Sequence, residues 1–373
     1  MRIGFDAKRA FYNRSGLGNY SRDIIKSLHQ YFPDNDYHLY TPSLKKSISF
    51  IDSERIKICT PAIKSGKILG GYWRSVLLRY RLQKDKIDLY HGLSNELPFK
   101  IHKSKVKSIV TIHDLIFMRY PQWYKTIDRK IYETKFRYSS RLADRIIAVS
   151  KQTKSDLIQY FNIDEEKIRV INQGCNELFT NILTNDQKFP VMKKYDLPRE
   201  YILYVGTIEE RKNLLQIVKA IHQYKIDIPL IAIGKSTKYT DQVNEYVRRH
   251  QLKNIRILHN ILMDDLPAIY QNARLFIYPS IFEGFGIPIL EALWSKVPVI
   301  TAKGGCFDEV GGPSTLYVDP LNVDELGEAI IRVLSDKNLS NTMVENGYVH
   351  AQKFSNMIIA QQVMDLYQEV VNE

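Results

Sequence analysis

Cysteine is scarce in this chain of 373 residues: Cys59, Cys175 and Cys306 are odd in number and scattered. They cannot build a disulfide framework, and they point to a reducing compartment without a metal site. Long apolar runs are missing too. No stretch of eighteen apolar residues occurs, so no membrane-spanning helix is expected. The opening Met1-Arg2-Ile3-Gly4-Phe5-Asp6 enters a strand at once and lacks the pattern of a signal peptide. Repeats and low-complexity tracts do not appear, nor does any RNA- or DNA-binding signature, so nucleic acid is not an expected partner.

What is present is an ordinary apolar content of 44%, in a chain long enough for two domains that each bury a core. Charge is distributed unevenly. Residues 1–180 hold 33 Lys and Arg against 18 Asp and Glu, a balance of +15, while the rest of the chain stands at −3. A basic first half beside a nearly neutral second half suits an anionic partner on one side only, although a solvated basic surface gives the same count. Residues 71–84 have helical period and are rich in arginine. Trp73, Val76, Leu77, Tyr80 and Leu82 could share an apolar stripe, as on a core-facing or a membrane-surface helix.

Strands and helical patterns alternate through both halves, which predicts open α/β sheets. The first strand, residues 3–6, runs into Arg14-Ser15-Gly16-Leu17-Gly18-Asn19-Tyr20 and then a helix. Gly16 and Gly18 would let the backbone approach a ligand. A dinucleotide fingerprint is not met, because Ser21 fills the third glycine position and no acidic residue closes the next strand. Two further strands end in histidine, at His91 and at His113 followed by Asp114. Carboxyl ends of strands are where open α/β sheets bind ligands. Periodicity fades over residues 181–199, where Pro190 and Pro198 stand among polar residues. This predicts a linker between domains at 1–180 and 200–355, with a last helix at 356–373.

The second half restarts with a strand ending at Gly206, then Arg211-Lys212 before a helix from Leu214. Paired cations there suit a diphosphate, or else pair with the adjacent Glu209 and Glu210. A second strand, 275–278, stops at Pro279-Ser280 and leads through Gly284-Phe285-Gly286-Ile287 to Pro288, where a helix opens. A helix N-terminus behind a glycine loop favours phosphate. Glu283 and Glu291 would repel phosphate, so they are expected to meet sugar hydroxyls.

The pair Glu283 and Glu291, with seven residues between, resembles the E-x7-E signature of retaining glycosyltransferases of family 4. The likeness extends through most of the chain. It implies the GT-B fold: two Rossmann-like parallel-sheet domains facing a cleft, with a C-terminal helix crossing back to the first. It implies transfer of a hexose from a nucleotide diphosphate sugar to a hydroxyl with retained configuration, without metal or cofactor. By the same likeness His113, Glu283, Arg211 and Lys212 are catalytic, with Glu283 on the sugar and Glu291 on the ribose. Gly16, Gly18, Gly206, Gly284, Phe285, Gly286 and Ile287 complete the donor site, and His91, Asn95 and Asp114 are acceptor-side candidates. One departure is Thr207, which stands after Gly206 where some members carry arginine. The segment from His113 to Tyr124 is most similar to bacterial mannosyltransferases of O-antigen and polysaccharide assembly. That implies GDP-mannose, a glycan or lipid-linked acceptor, and a cytoplasmic enzyme peripheral to an anionic membrane face. UDP- or dTDP-sugar-dependent glucosyl, galactosyl or rhamnosyl transfer is the near alternative, and a non-catalytic anionic-surface or nucleic-acid binder on a degenerate transferase fold is the distant one.

Overall fold

The computed structural model describes residues 1–13, 16–43, 54–61 and 67–373. It divides into two units, one of residues 1–174 and 354–373 and one of residues 175–353. Each is built on one parallel sheet.

In the first unit, strands β1 (Arg2–Asp6), β2 (Asp36–Tyr40), β3 (Ile56–Cys59), β4 (Leu89–Gly92), β5 (Lys107–Ile112), β6 (Arg145–Ala148) and β7 (Ile168–Val170) stand in the order β3-β2-β1-β4-β5-β6-β7. In the second unit, β8 (Ile202–Val205), β9 (Leu230–Ile233), β10 (Ile255–Leu258), β11 (Leu275–Tyr278), β12 (Val299–Ala302) and β13 (Leu316–Val318) stand in the order β10-β9-β8-β11-β12-β13. All registered pairs are parallel. The central strands read as unbroken apolar runs because helices cover both faces; every residue of Leu275-Phe276-Ile277-Tyr278 is buried. Strand order reverses beside β1 in one sheet and beside β8 in the other. Such reversals open a crevice at the carboxyl ends of the strands.

The terminal helix Asn356–Asn372 returns to the first unit, as expected. Its buried face, Ile359, Ala360, Val363, Met364, Leu366, Tyr367 and Val370, joins the core of Phe5, Ile25, Leu28 and Leu89. Met357, in the first turn of the same helix, is exposed.

Two stretches differ from the sequence expectation. Within 181–199 lies a helix, Asn185–Lys194, opened by a capping box of Thr184 and Gln187. It is part of the second unit and packs on the helix Leu266–Asn272. Short polar residues that suggest a linker serve here as a cap. Residues 71–84 are helical but out of phase with the expected stripe. Trp73–Leu77 form a π-helix between the helices Lys67–Tyr72 and Leu78–Lys84. Its wider turn shifts the register, so Leu78 and Leu82 are buried while Leu77 and Tyr80 face outward.

Gly16 and Gly18 open the helix Gly16–Tyr31, whereas Arg14 and Ser15 lie outside the described residues. A Cβ at Gly18 would stand 1.9 Å from the Asn13 carbonyl oxygen, while at Gly16 nothing described lies within 4 Å. The close approach at Gly18 is thus to the chain's own backbone. Gly18→Ala should destabilise the protein by roughly 2–3 kcal/mol, as overpacking against backbone does, and Gly16→Ala should stay within about 0.5 kcal/mol of wild type. Equilibrium denaturation of the two variants makes the comparison; equal losses would contradict it.

Candidate active site

In the second unit, strand order brings two distant stretches together. β8 and β11 are neighbours, so the loop after Gly206 meets the loop after Tyr278. Asn213, at a left-handed φ of 62°, donates from its side chain to the Pro279 carbonyl at 3.3 Å. The Ile281 amide donates to the Arg211 carbonyl at 2.8 Å. These bonds clamp one loop on the other and set Arg211, Lys212 and Glu283 in one cluster.

Glu283 is its centre. Its Oε1 accepts from Arg211 Nη1 at 2.8 Å, from the Tyr278 hydroxyl at 2.8 Å and from the Ser280 hydroxyl at 2.9 Å. Lys212 Nζ lies 3.7 Å from the same oxygen and donates to the Tyr278 hydroxyl at 2.8 Å. Burial alone would raise the Glu283 pKa. The Arg211 and Lys212 charges and the hydrogen bonds from Arg211 and Tyr278 outweigh it, and hold the carboxyl at about 2. The group is a fixed anion at neutral pH, with one oxygen tied by its neighbours and Oε2 left as the acceptor.

Arg211 is the more heavily committed of the two cations. Besides Glu283 it binds Glu209 at 2.7 Å and the Phe282 carbonyl. Part of the local pairing that competes with a phosphate role is therefore realised. Lys212 has three donor hydrogens, one of which goes to Tyr278. Its stem fits because position 206 is glycine: a Cβ there would lie 3.2 Å from Lys212 Cδ and 3.3 Å from the Tyr278 ring.

The glycine loop then turns into the helix Ile287–Trp294 through Gly286, whose φ of 111° suits only glycine. Pro288 sits in the first turn. Glu291 stands at the fifth helical position, just past the first turn. It is buried and accepts from the Tyr270 hydroxyl at 2.8 Å. Phe285 is buried as well. Tyr278, Ser280 and Asn213 were not singled out by sequence, although the first two stand inside the motif itself.

In the first unit, His113 follows β5 and is nearly buried. Its Nε2 faces the Leu93 carbonyl at 2.9 Å, which can only accept, so Nε2 carries the proton. Nδ1 then accepts from the Gln173 amide at 3.2 Å. Asn95 Oδ1 accepts from the His113 backbone amide at 2.8 Å, and Asn95 is itself held in a left-handed turn. Burial lowers the His113 pKa to about 4, against the Leu93 bond, which favours the charged form. The ring is neutral at physiological pH. Asp114 accepts from the Ile116 amide at 3.1 Å, ahead of the short helix Ile116–Arg119.

His91 is a correction. It is fully buried, with Nδ1 2.5 Å from the Tyr367 hydroxyl and Nε2 2.8 Å from the Thr111 hydroxyl. With both nitrogens engaged inside the core, it offers no surface to an acceptor. A second correction concerns the basic residues. Arg74 points inward, chelating Asp6 and reaching Glu96 at 2.7 Å, and Arg81 pairs with Asp85. Neither adds to an outward field. Lys103 and Lys105 are exposed, Arg79 lies over the Tyr80 ring and Lys100 over Phe99.

Cys59, scattered in sequence, lies with His38 and Asp85, their ligand atoms all within 4.8 Å of one another. Asp85 Oδ2 there already accepts from Arg81 at 2.7 Å and from the Tyr40 hydroxyl at 2.9 Å. The trio reads as a core polar contact. Among the described residues, no helix is long and apolar enough to cross a membrane.

Known proteins match both units. The family model for Glycosyltransferase Family 4 covers residues 14–177, and that for glycosyl transferases group 1 covers residues 187–350. The chain belongs to the glycosyltransferases of family 4. It is 29% identical over 95% of its length to O-antigen chain mannosyltransferase B of Escherichia coli, of which it covers 96%. It is 28% identical over 66% of its length to the O-antigen chain mannosyltransferase RfbU of Salmonella typhimurium, covering 66% of that protein. Sucrose-phosphate synthase from Thermosynechococcus elongatus shares its fold with a TM-score of 0.81 at 20% identity, over 100% of this chain and 99% of that one. Anabaena Alr3699/HepE, solved with UDP and glucose, has a TM-score of 0.75 at 17% identity over 99% of this chain and 100% of that one. The fold is GT-B.

The depressed Glu283 pKa has a consequence for stability. A carboxyl held below its unfolded value contributes stability above the ordinary carboxylate range and loses it as pH falls from about 4.5 to about 2. Glu283→Gln should therefore be less stable than wild type at pH 7, with the gap closing toward pH 2. Denaturant unfolding of both proteins across that range checks this. A gap independent of pH would mean that the charge is not what the site holds.

Proposed function

We propose that this chain transfers mannose from GDP-mannose to a hydroxyl of a glycan or lipid-linked acceptor in cell-surface polysaccharide synthesis, with retained configuration. The observation that carries the reading is the Glu283 carboxylate. Three donors converge on Oε1, with the Lys212 ammonium 3.7 Å away, and leave Oε2 to accept from a sugar hydroxyl. The similarity to one O-antigen mannosyltransferase over nearly the whole chain, and to a second over two thirds of it, supports mannose. The Anabaena neighbour with UDP and glucose keeps a UDP-sugar in view.

In this reading Lys212 and the N-terminus of the helix Ile287–Trp294 meet the leaving diphosphate, where fixed positive potential lowers the barrier. Arg211 serves mainly by holding Glu283 ionised and in place. Glu291 takes the ribose hydroxyls, and His113 lines the reacting face of the sugar as a neutral imidazole. The leaving phosphate takes the acceptor proton, so no protein base is assigned. No metal is assigned either, since the cation beside the phosphates is Lys212. Activity should be unchanged by EDTA; loss that Mn²⁺ or Mg²⁺ restores would overturn this.

A thermal-shift screen against GDP, UDP, ADP and dTDP tests the donor, because selective binding raises stability. GDP should stand out; a larger shift with UDP would move the reading to a UDP-sugar. Glu283→Gln should reduce transfer at least about a hundredfold while GDP still binds, in line with a group that acts on the sugar. Lys212→Ala should weaken GDP far more than guanosine. Equal weakening of both ligands removes Lys212 from the phosphate.

We further propose that the first unit rests on an anionic membrane face. Leu69, Tyr72, Tyr80 and Phe99 are exposed there, and the Phe99 amide bonds the Ser75 carbonyl, which holds its loop against the π-helix. Lys100, Lys103, Lys105 and Arg79 lie in the same two segments, each worth roughly 1 kcal/mol near such a surface. Co-sedimentation should be stronger with anionic than with neutral vesicles and should weaken with salt. Equal recovery on both would dismiss the electrostatic part.

A further inference from the structure

His91 occupies a position where a phenylalanine or leucine would pack without a polar requirement. Instead it sits within a chain of hydrogen bonds that is wholly inside the first unit. The Tyr367 hydroxyl of the terminal helix meets Nδ1 at 2.5 Å, and Nε2 meets Thr111 Oγ1 at 2.8 Å. The same Oγ1 meets the Tyr20 hydroxyl at 3.0 Å. Tyr20, Thr111, His91 and Tyr367 are all buried, so water cannot substitute for a missing link. A buried polar chain of this kind costs more to break than to keep, and it selects one arrangement of its members.

The chain ends on the candidate site. Thr111 and His113 are two residues apart along an extended segment, so their side chains leave on the same face. The Tyr20 ring stands perpendicular to the His113 ring, at 88°, with centroids 4.7 Å apart. The hydroxyl that binds Thr111 fixes the plane of the Tyr20 ring, and that ring bounds one side of the imidazole. Leu93 and Gln173 hold its two nitrogens.

We propose that His91 and Tyr367 are positioning residues, which act through Thr111 and Tyr20 to set the plane of the His113 ring. The terminal helix thereby takes part in catalysis without touching substrate. This rests on the reading of His113 as the group of the first unit at the reacting sugar.

The test uses full-length protein labelled at histidine, with four variants. Tyr367→Phe and Thr111→Val each remove one hydroxyl and retain the bulk; Thr111→Ser restores a hydroxyl. His113→Ala assigns the His113 ring signal and tests its role. Turnover of GDP-mannose is read as GDP released, and ring orientation is read from the His113 Cε1–H chemical shift. Tyr367→Phe and Thr111→Val should move the His113 signal and lower kcat roughly tenfold, about 1.4 kcal/mol of barrier. KM for GDP-mannose should stay within about twofold, because the interaction lost is one made at the reacting centre. Thr111→Ser should bring both readouts back. A purely structural role would lower Tm and leave the His113 signal and kcat where they are, and that result overturns the proposal. Wild-type turnover by His113→Ala would overturn the reading of His113, and the catalytic part of the proposal with it. If GDP-mannose is not turned over by the wild type, the donor assignment fails, and the chemical shifts alone decide the positioning.

Discussion

The structure of the second unit turns on one oxygen atom. Glu283 Oε1 gathers a guanidinium, two hydroxyls and, at longer range, an ammonium. A carboxylate this deep in the protein would be neutral without them, since desolvation disfavours charge. The dependence runs both ways, because Arg211 and Lys212 would otherwise be two cations close together. Tyr278 and Ser280 bring their hydroxyls from the end of β11 and its loop, and Arg211 arrives from the loop after β8. The cluster therefore exists only while β8 and β11 are adjacent, and sheet order and site charge are the same constraint seen at two scales.

The first unit uses a complementary logic. His91 and His113 are kept neutral by burial: His91 has its pKa lowered to about 3, by desolvation first and by nearby His113 second. Where the second unit concentrates charge, the first holds an uncharged polar chain behind its candidate site and balances the largely buried Arg74 internally. Arg74 lies between Asp6 at the end of β1 and Glu96 beyond β4, so it fastens the π-helical segment to the same strand ends. What that segment leaves outward is aromatic and aliphatic, with the remaining positive charge around it.

Much of this was legible in the sequence wherever the signal was local. Strand, glycine turn and helix are written consecutively at 275–294, and the two glutamates stand inside that span, so the loop and its two carboxylates could be placed without a fold. The terminal helix was also legible, because Ala360, Val363, Met364 and Tyr367 keep helical spacing, while its return to the first unit was implied only by the resemblance to family 4. Pairings between distant positions were hidden. Nothing at His91 indicates that Tyr367 will cover it from 276 residues away, and nothing at Arg211 shows that it will bind Glu283 in preference to facing a ligand. Gly18 was misjudged for a related reason: a glycine reports that some backbone comes close, without saying whose. The apolar stripe of residues 71–84 failed on geometry, since a single π-helical turn invalidates a period of 3.6.

The return of the chain to its first unit also bears on how the protein is made. The second unit is continuous in sequence and can close as soon as it has left the ribosome. The first is not: the face formed by Phe5, Ile25 and Leu28 is covered by residues synthesised after the whole of the second unit. The N-terminal-first order usual in multidomain chains cannot run to completion here, and a nascent chain carries an apolar face in waiting through most of its synthesis. The early-made sheet thereby stays uncovered on one face until residues 354–373 have been synthesised.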